Sequence, residues 1–256
     1  MSKLEQAIRK TASEGQLNSS IFDVDNTSCI EEIAKMETTF LFDQKELKKR
    51  KIIYPALKDT ALINSFRELR TSITSQYGKN VIMVTSITPK AGTSFFARNI
   101  AAAIAFDASK TSLLMDCNLN SKNDLAKQFD ISDRPGINDY ILNRDMEVED
   151  VINNSGVKRL RVVPFGSENS DFEEIFSHPR FHTLLGQLKH KYSDRNVIID
   201  APSILSSADA RILLELCDQV IVVVPYGKGN RNQLESAAKI IGRDKLTGVV
   251  FNDFVK

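Results

Sequence analysis

The sequence predicts an α/β fold, a mostly parallel sheet with helices on both faces, and three observations carry that expectation. Several strand-length runs are continuously apolar, among them VIMV (81–84), VII (197–199) and VIVVV (220–224). Strands that are apolar without alternation are buried on both faces, as in parallel sheets. Segments with helical apolar spacing fall between these runs. The polar residues with chemical potential cluster just after the runs, where open parallel sheets bind their ligands.

Taken in order, residues 4–12 (LEQAIRKTA) place Leu4, Ala7, Ile8 and Ala12 on one face of a short amphipathic helix. The pattern then weakens, and a basic stretch follows with Lys45, Lys48, Lys49, Arg50 and Lys51, before the strand-like pair Ile52 and Ile53. Residues 1–53 are therefore expected to form an N-terminal helical arm and linker, and 54–256 the main domain. Within that domain Leu62, Phe66, Leu69 and Ile73 predict a helix over 59–77. Strands are expected at 80–86, 111–116, 161–165, 196–200, 219–225 and 246–252, with helices at 94–107, 179–192 and 231–241.

At 256 residues the chain can bury one large core or one domain with an appendage. A net charge of +1 provides no global field for nucleic acid. Cys29, Cys117 and Cys217 have unrelated spacings, so neither a disulfide framework nor a metal pattern is expected. They read as reduced thiols of a cytoplasmic protein. The opening MSKLEQAIRK has no apolar signal core, and no apolar run reaches membrane-spanning length.

VIMVTSITPKAGTSFFARNIAAAIA (81–105) has the order strand, loop, helix. In a phosphate-binding loop of this kind, backbone N–H groups and a helix N-terminus cradle phosphates. A lysine bridges the terminal ones, and a Ser/Thr hydroxyl holds Mg²⁺. Gly92 and Ser94 occupy the positions of the second glycine and the hydroxyl, but Thr93 stands at the lysine position. Asp116 ends the second strand and Asp200 the fourth. Carboxylates in those places suit Mg²⁺ coordination. ATP or ADP with Mg²⁺ is the expected cofactor set, with Lys90, Ala91, Gly92, Thr93, Ser94 and Phe95 at the phosphates, Ser94, Asp116 and Asp200 at the metal, and Asn252 near the base.

These segments make the chain resemble the cytoplasmic domain of bacterial tyrosine kinases, which are P-loop proteins working with polysaccharide co-polymerases in capsule and exopolysaccharide production. The resemblance spans 54–252. SFRELRTSI (65–73) is similar to the helix that packs neighbouring subunits into a ring, LLMDCNLN (113–120) to the second Walker segment, and VIIDAPSILSSADARIL (197–213) to the Walker B region. It implies a Rossmann-like P-loop NTPase fold, a membrane-embedded co-polymerase as partner, and a homo-oligomeric interface through Arg67 and Arg70. Membrane association is expected only through that partner or the basic stretch, peripheral to the inner membrane.

The departures from the family pattern point to a degenerate kinase. Besides Thr93, Asn118 replaces the second aspartate of the LLMDCN segment, Asn120 the arginine after it, and Asn64 the glutamate that begins the ring helix motif. The tyrosine-rich tail that such kinases phosphorylate is not found before Lys256. A regulatory or scaffolding subunit is the leading expectation. An active autokinase with a remodelled loop, with Asp116 and Asp200 catalytic, is the alternative, and an interaction protein that binds no nucleotide is another. Partition-type ATPases share the fold but carry a lysine near the start of the loop, where this chain has Thr88.

Two further patterns carry less. FDVDNTS (22–28) imitates an aspartyl phosphatase nucleophile motif, yet LNSSIF rather than a buried strand precedes it. His178, His182 and His190 have helical spacing suited to zinc, without a further ligand at a useful position, and a solvated helix face accounts for them.

Overall fold

The computed structural model describes residues 40–75, 80–119, 124–167, 174–190 and 195–252. The helix expected at 4–12, the FDVDNTS motif and Cys29 lie outside the described residues. Seven strands form one sheet: β1 (Val81–Ser86), β2 (Thr111–Asp116), β3 (Asn153–Asn154), β4 (Leu160–Val163), β5 (Arg195–Asp200), β6 (Gln219–Pro225) and β7 (Leu246–Asn252). Their order is β3-β4-β2-β5-β1-β6-β7. Every pair is parallel except the short β3–β4 edge.

Side-chain alternation along the inner strands divides the core in two. Val81, Met83, Leu113, Met115, Val197 and Ile199 point to one face, and Ile82, Val84, Leu114 and Ile198 to the other. The helices α1 (Gln44–Lys49), α2 (Thr60–Thr74), α3 (Thr93–Ala105) and α4 (Asp124–Gln128) belong to the second face. The first is covered by α5 (Ile137–Leu142), α6 (Pro179–His190), α7 (Ala208–Leu216) and α8 (Arg231–Ile241). Both faces of the sheet are thus covered, which is why its inner strands β1, β2, β5 and β6 carry unbroken apolar runs and are buried along their length.

The helix α3 is apolar nearly all round because it is sandwiched between the sheet and α2. Its run of alanines lets the backbone lie close to the strands, and the Ser112 hydroxyl donates to the Ala101 carbonyl at 2.7 Å. On its outer side Phe96 stacks on Phe66 of α2, ring centroids 5.4 Å apart. The N-cap Asp59 accepts a bond from Leu62 N and starts α2.

Three differences from the sequence expectation concern elements. The helices α1, α4, α5 and α7 and the two-residue strand β3 were not anticipated, although Ser207 caps α7 and its Ala210, Leu213 and Leu214 are buried. The third expected strand is shorter, Leu160–Val163, and Pro164 and Phe165 instead supply carbonyls to Ile137 and Asn138. Residues 40–53, expected in the arm, pack on the domain without forming a strand at Ile52 and Ile53, which are 2% and 3% exposed. The Arg50 guanidinium stacks on Phe42, pairs with Asp130 and donates to the Gln128 carbonyl. Among the described residues no helix is long and apolar enough to cross a membrane.

Candidate functional site

The loop between β1 and α3 is anchored where it leaves β1. The Ser86 hydroxyl donates to the Thr88 carbonyl at 2.8 Å, and Thr85 Oγ1 to the Pro202 carbonyl at 2.6 Å. Lys90 and Gly92 have left-handed backbones, with φ of 60° and 88°. Turns of this kind gather N–H groups into an anion-binding concavity. Gly92 is also the N-cap of α3 and offers no side-chain capping bond, so the first-turn N–H groups are left for a ligand.

Glycine at 92 is required twice over. Besides its positive φ, a Cβ there would collide with the Asn252 side-chain nitrogen. That nitrogen donates to the Ala91 carbonyl at 3.0 Å, so the end of the edge strand β7 braces the loop.

The two aspartates meet by register. Asp116 pairs with Asp200 across the β2–β5 ladder. Each lies two residues beyond an apolar residue of the α3 face, Leu114 and Ile198, so alternation turns both carboxylates to that face. They are 1% and 0% exposed. Burial, then the Asp200 charge, pushes Asp116 well above the usual carboxylate range, against the Asn118 N–H that lowers it. Burial raises Asp200 to about 7, although Ser94, Arg98 and Asn118 favour its charged form. Both Asp200 oxygens and Asp116 Oδ2 are buried without a hydrogen bond of ordinary geometry.

That donor set fits Mg²⁺, a hard cation that takes one or two carboxylates, a hydroxyl and substrate oxygens. Orphaned buried carboxylate oxygens are costly, and a cation between them relieves both their desolvation and their mutual repulsion. The third position follows from the helix: Ser94 stands in the first turn of α3 and approaches Asp200. Among the described residues no group of three or more His, Cys, Asp or Glu is placed to hold a metal ion, so here the two carboxylates would need the Ser94 hydroxyl and ligand oxygens beside them.

The structure brings together most of the expected site residues. Ala91, Gly92, Thr93, Ser94, Asp116, Asp200 and Asn252 converge at the carboxyl ends of β1, β2, β5 and β7. Thr93 is 7% exposed and adds no charge. Lys90 is exposed on the loop, and Phe95 is half-buried under the Arg98 guanidinium, 5.1 Å from the ring centroid. Two residues that sequence reasoning missed lie on α3. Arg98 is 8% exposed and is attracted by Asp200. Asn99 is fully buried and bridges Ile53 N, the Lys51 carbonyl and the Phe95 carbonyl. Their signal was available: they are the two polar residues in the otherwise apolar FFARNIAAAIA.

Other expected residues stand apart. Arg67 is exposed on α2, whereas Arg70 reaches inward to the Ala103 carbonyl at 3.3 Å. Lys45, Lys48, Lys49 and Lys51 remain exposed. His182 is exposed, His178 Nδ1 accepts from Arg180 N, and the His190 side chain lies outside the described residues. Cys117 and Cys217 are buried free thiols, raised in pKa chiefly by burial.

No family model matches the chain. Among curated proteins it is 30% identical over 213 residues to the tyrosine-protein kinase ptk of Acinetobacter johnsonii, covering 81% of this chain and 28% of that one. It is 28% identical over 204 residues to the tyrosine-protein kinase YwqD of Bacillus subtilis, covering 77% and 84%. The chain thus spans little more than a quarter of the first of these relatives. Among solved structures, the kinase domain of the Escherichia coli tyrosine kinase ETK superposes with a TM-score of 0.67 at 21% identity, over 86% of this chain and 91% of that one. The cell division ATPase MinD of Pyrococcus furiosus shares the fold more loosely, with a TM-score of 0.54 at 19% identity over 68% and 70%. The architecture is that of the P-loop NTPases.

Proposed function

The chain is a relative of the bacterial tyrosine-protein kinases, and from that premise we propose that it is a kinase-like nucleotide-binding domain with impaired phosphoryl transfer. On this reading it serves exopolysaccharide or capsule production as a cytoplasmic regulatory or scaffolding subunit. Its partner is a membrane-embedded polysaccharide co-polymerase.

One observation carries the reading: the first residue of α3 is the buried, uncharged Thr93, at the position where phosphoryl transfer relies on lysine. A preorganised cation at the developing charge contributes about 3 kcal/mol or more, so its loss slows transfer by about a hundredfold or more. Binding depends less on that one group. The loop N–H groups and the N-terminus of α3 receive phosphate oxygens, and Asn252 braces the loop for them. Ser94, Asp116 and Asp200 would hold Mg²⁺, which when bound supplies charge neutralisation between the phosphates. Arg67, exposed on α2, suits contact with acidic groups of a second copy.

The test is calorimetry of Mg²⁺-ATP and Mg²⁺-ADP on wild type and Asp116→Ala, beside a phosphotyrosine assay on the purified chain. Micromolar binding that Asp116→Ala abolishes, without phosphotyrosine, is the expected result. Accumulating phosphotyrosine overturns the impaired-transfer reading. Absence of binding at millimolar nucleotide overturns the nucleotide-binding one.

A further inference from the structure

Arg98 is a cation in a place where a cation is hard to keep. It is 8% exposed on a helix packed against the sheet, and its Nε is buried without a hydrogen-bond partner. Burial lowers its pKa, and the Asp200 charge raises it again. Asp200 attracts the guanidinium, yet neither Asp200 oxygen bonds to it. An arginine serving only to neutralise that carboxylate would close the fork onto it, because a bidentate pair is the strong geometry.

The helix determines where the side chain goes. Arg98 is four residues after Ser94, so the two share a face of α3, and helical side chains lean toward the N-terminus. The guanidinium lies over the Phe95 ring and beside Asp200, below the open first turn. An unsatisfied donor, Arg98 Nε, and unsatisfied acceptors on Asp116 and Asp200 therefore lie near the first turn of α3. A phosphate oxygen complements the arginine, and a metal ion the aspartates.

We propose that Arg98 is the resident cation of this site, its guanidinium supplying to a bound nucleotide's phosphate chain the positive charge that position 93 lacks. The inference rests on the nucleotide-binding reading and adds a consequence to it. Because the cation belongs to the chain, phosphate binding persists when Mg²⁺ is removed. A planar fork with five donors also gives Arg98 a geometric role that lysine reproduces only in part.

The experiment titrates ADP into wild type, Arg98→Lys and Arg98→Gln, each with Mg²⁺ and with EDTA. Wild type is expected to bind in EDTA within about tenfold of its Mg²⁺ affinity. Arg98→Gln is expected to lose about tenfold or more in both buffers, as for a lost charge-assisted hydrogen bond, with Arg98→Lys between. Wild-type binding that needs Mg²⁺, or Arg98→Gln binding as wild type does, overturns the inference and leaves the nucleotide site standing. No wild-type binding in either buffer overturns both. Should the variants fail to fold, the Arg98 Nε–Hε resonance of wild type decides the matter. Adding ADP in EDTA is expected to shift it, and an unmoved signal at saturation overturns the inference.

Discussion

Asp116 lies directly opposite Asp200 in the parallel β2–β5 ladder, and both carboxylates turn to the α3 side of the sheet. Neighbouring strands are about 4.8 Å apart, so the two charges cannot be held cheaply in a dry interior.

The first prediction concerns pH. Asp200 is raised to about 7 by burial, so the folded state binds a proton that the unfolded state releases near the usual carboxylate value of 3.8. Stability from this group is fully present below the unfolded value and is lost as pH rises through the folded one. Asp200→Asn cannot ionise and escapes that loss. Its melting temperature relative to wild type is expected to rise between about pH 4 and pH 7 and then level off. Melting curves without nucleotide or metal, recorded across that range, check it. A difference that stays constant with pH contradicts the prediction.

The second concerns position 93. Thr93→Lys places an ammonium at the first turn of α3, beside the loop N–H groups. A gain of about tenfold in ATP affinity, and of about a hundredfold in any phosphoryl transfer, is expected. Calorimetry and single-turnover transfer measure the two separately. An unchanged transfer rate would place the defect elsewhere, Asn118 being the next suspect.

The third uses the contact of Gly92 with Asn252. Gly92→Ala meets both a left-handed backbone and a clash with the Asn252 nitrogen, and is expected to destabilise by about 1–3 kcal/mol. Adding Asn252→Ala removes the clash but not the backbone strain, so part of the loss returns in the double variant. Urea unfolding of the four-member cycle measures the coupling. Strict additivity would mean that the two residues do not touch.

The fourth concerns Asn99, whose amide joins residues 51–53 to α3. Asn99→Ala leaves Ile53 N–H buried without its partner and is expected to cost about 2–4 kcal/mol. Hydrogen exchange at Ile53 should accelerate more than exchange in β5. Equal acceleration at both would show that the segment does not open separately.

Much of the core of this fold is legible in the chain because its signals are local. The apolar run QVIVVVP matches β6 and LTGVVFN matches β7. Of the spaced Leu62, Phe66, Leu69 and Ile73 in α2, the second and fourth are buried and the other two half-buried, while the buried Ile63 was not singled out. Less was legible where elements are short. The six-residue α5 completes too few turns for apolar periodicity to be recognised. At the site, Gly92, Ser94, Asp116 and Asp200 were found because each closes a strand or opens a helix. Arg98 was not found: it interrupts the apolar FFARNIAAAIA, but inside a helix an arginine ordinarily faces water, and packing is needed to show that this one is buried.

The sequence by itself determined six of the seven described strands, the loop between β1 and α3 and the threonine at its first helical position, all properties of contiguous residues. Tertiary structure alone decided the strand order, the pairing of Asp116 with Asp200, the approach of Arg98 to that pair and the docking of residues 40–53. Those outcomes join positions far apart in the chain: Arg50 meets Asp130 across 80 residues, and Asn252 meets Ala91 across 161. No local periodicity encodes such contacts. They follow from the burial of both sheet faces at once, which brings these residues together as the core closes.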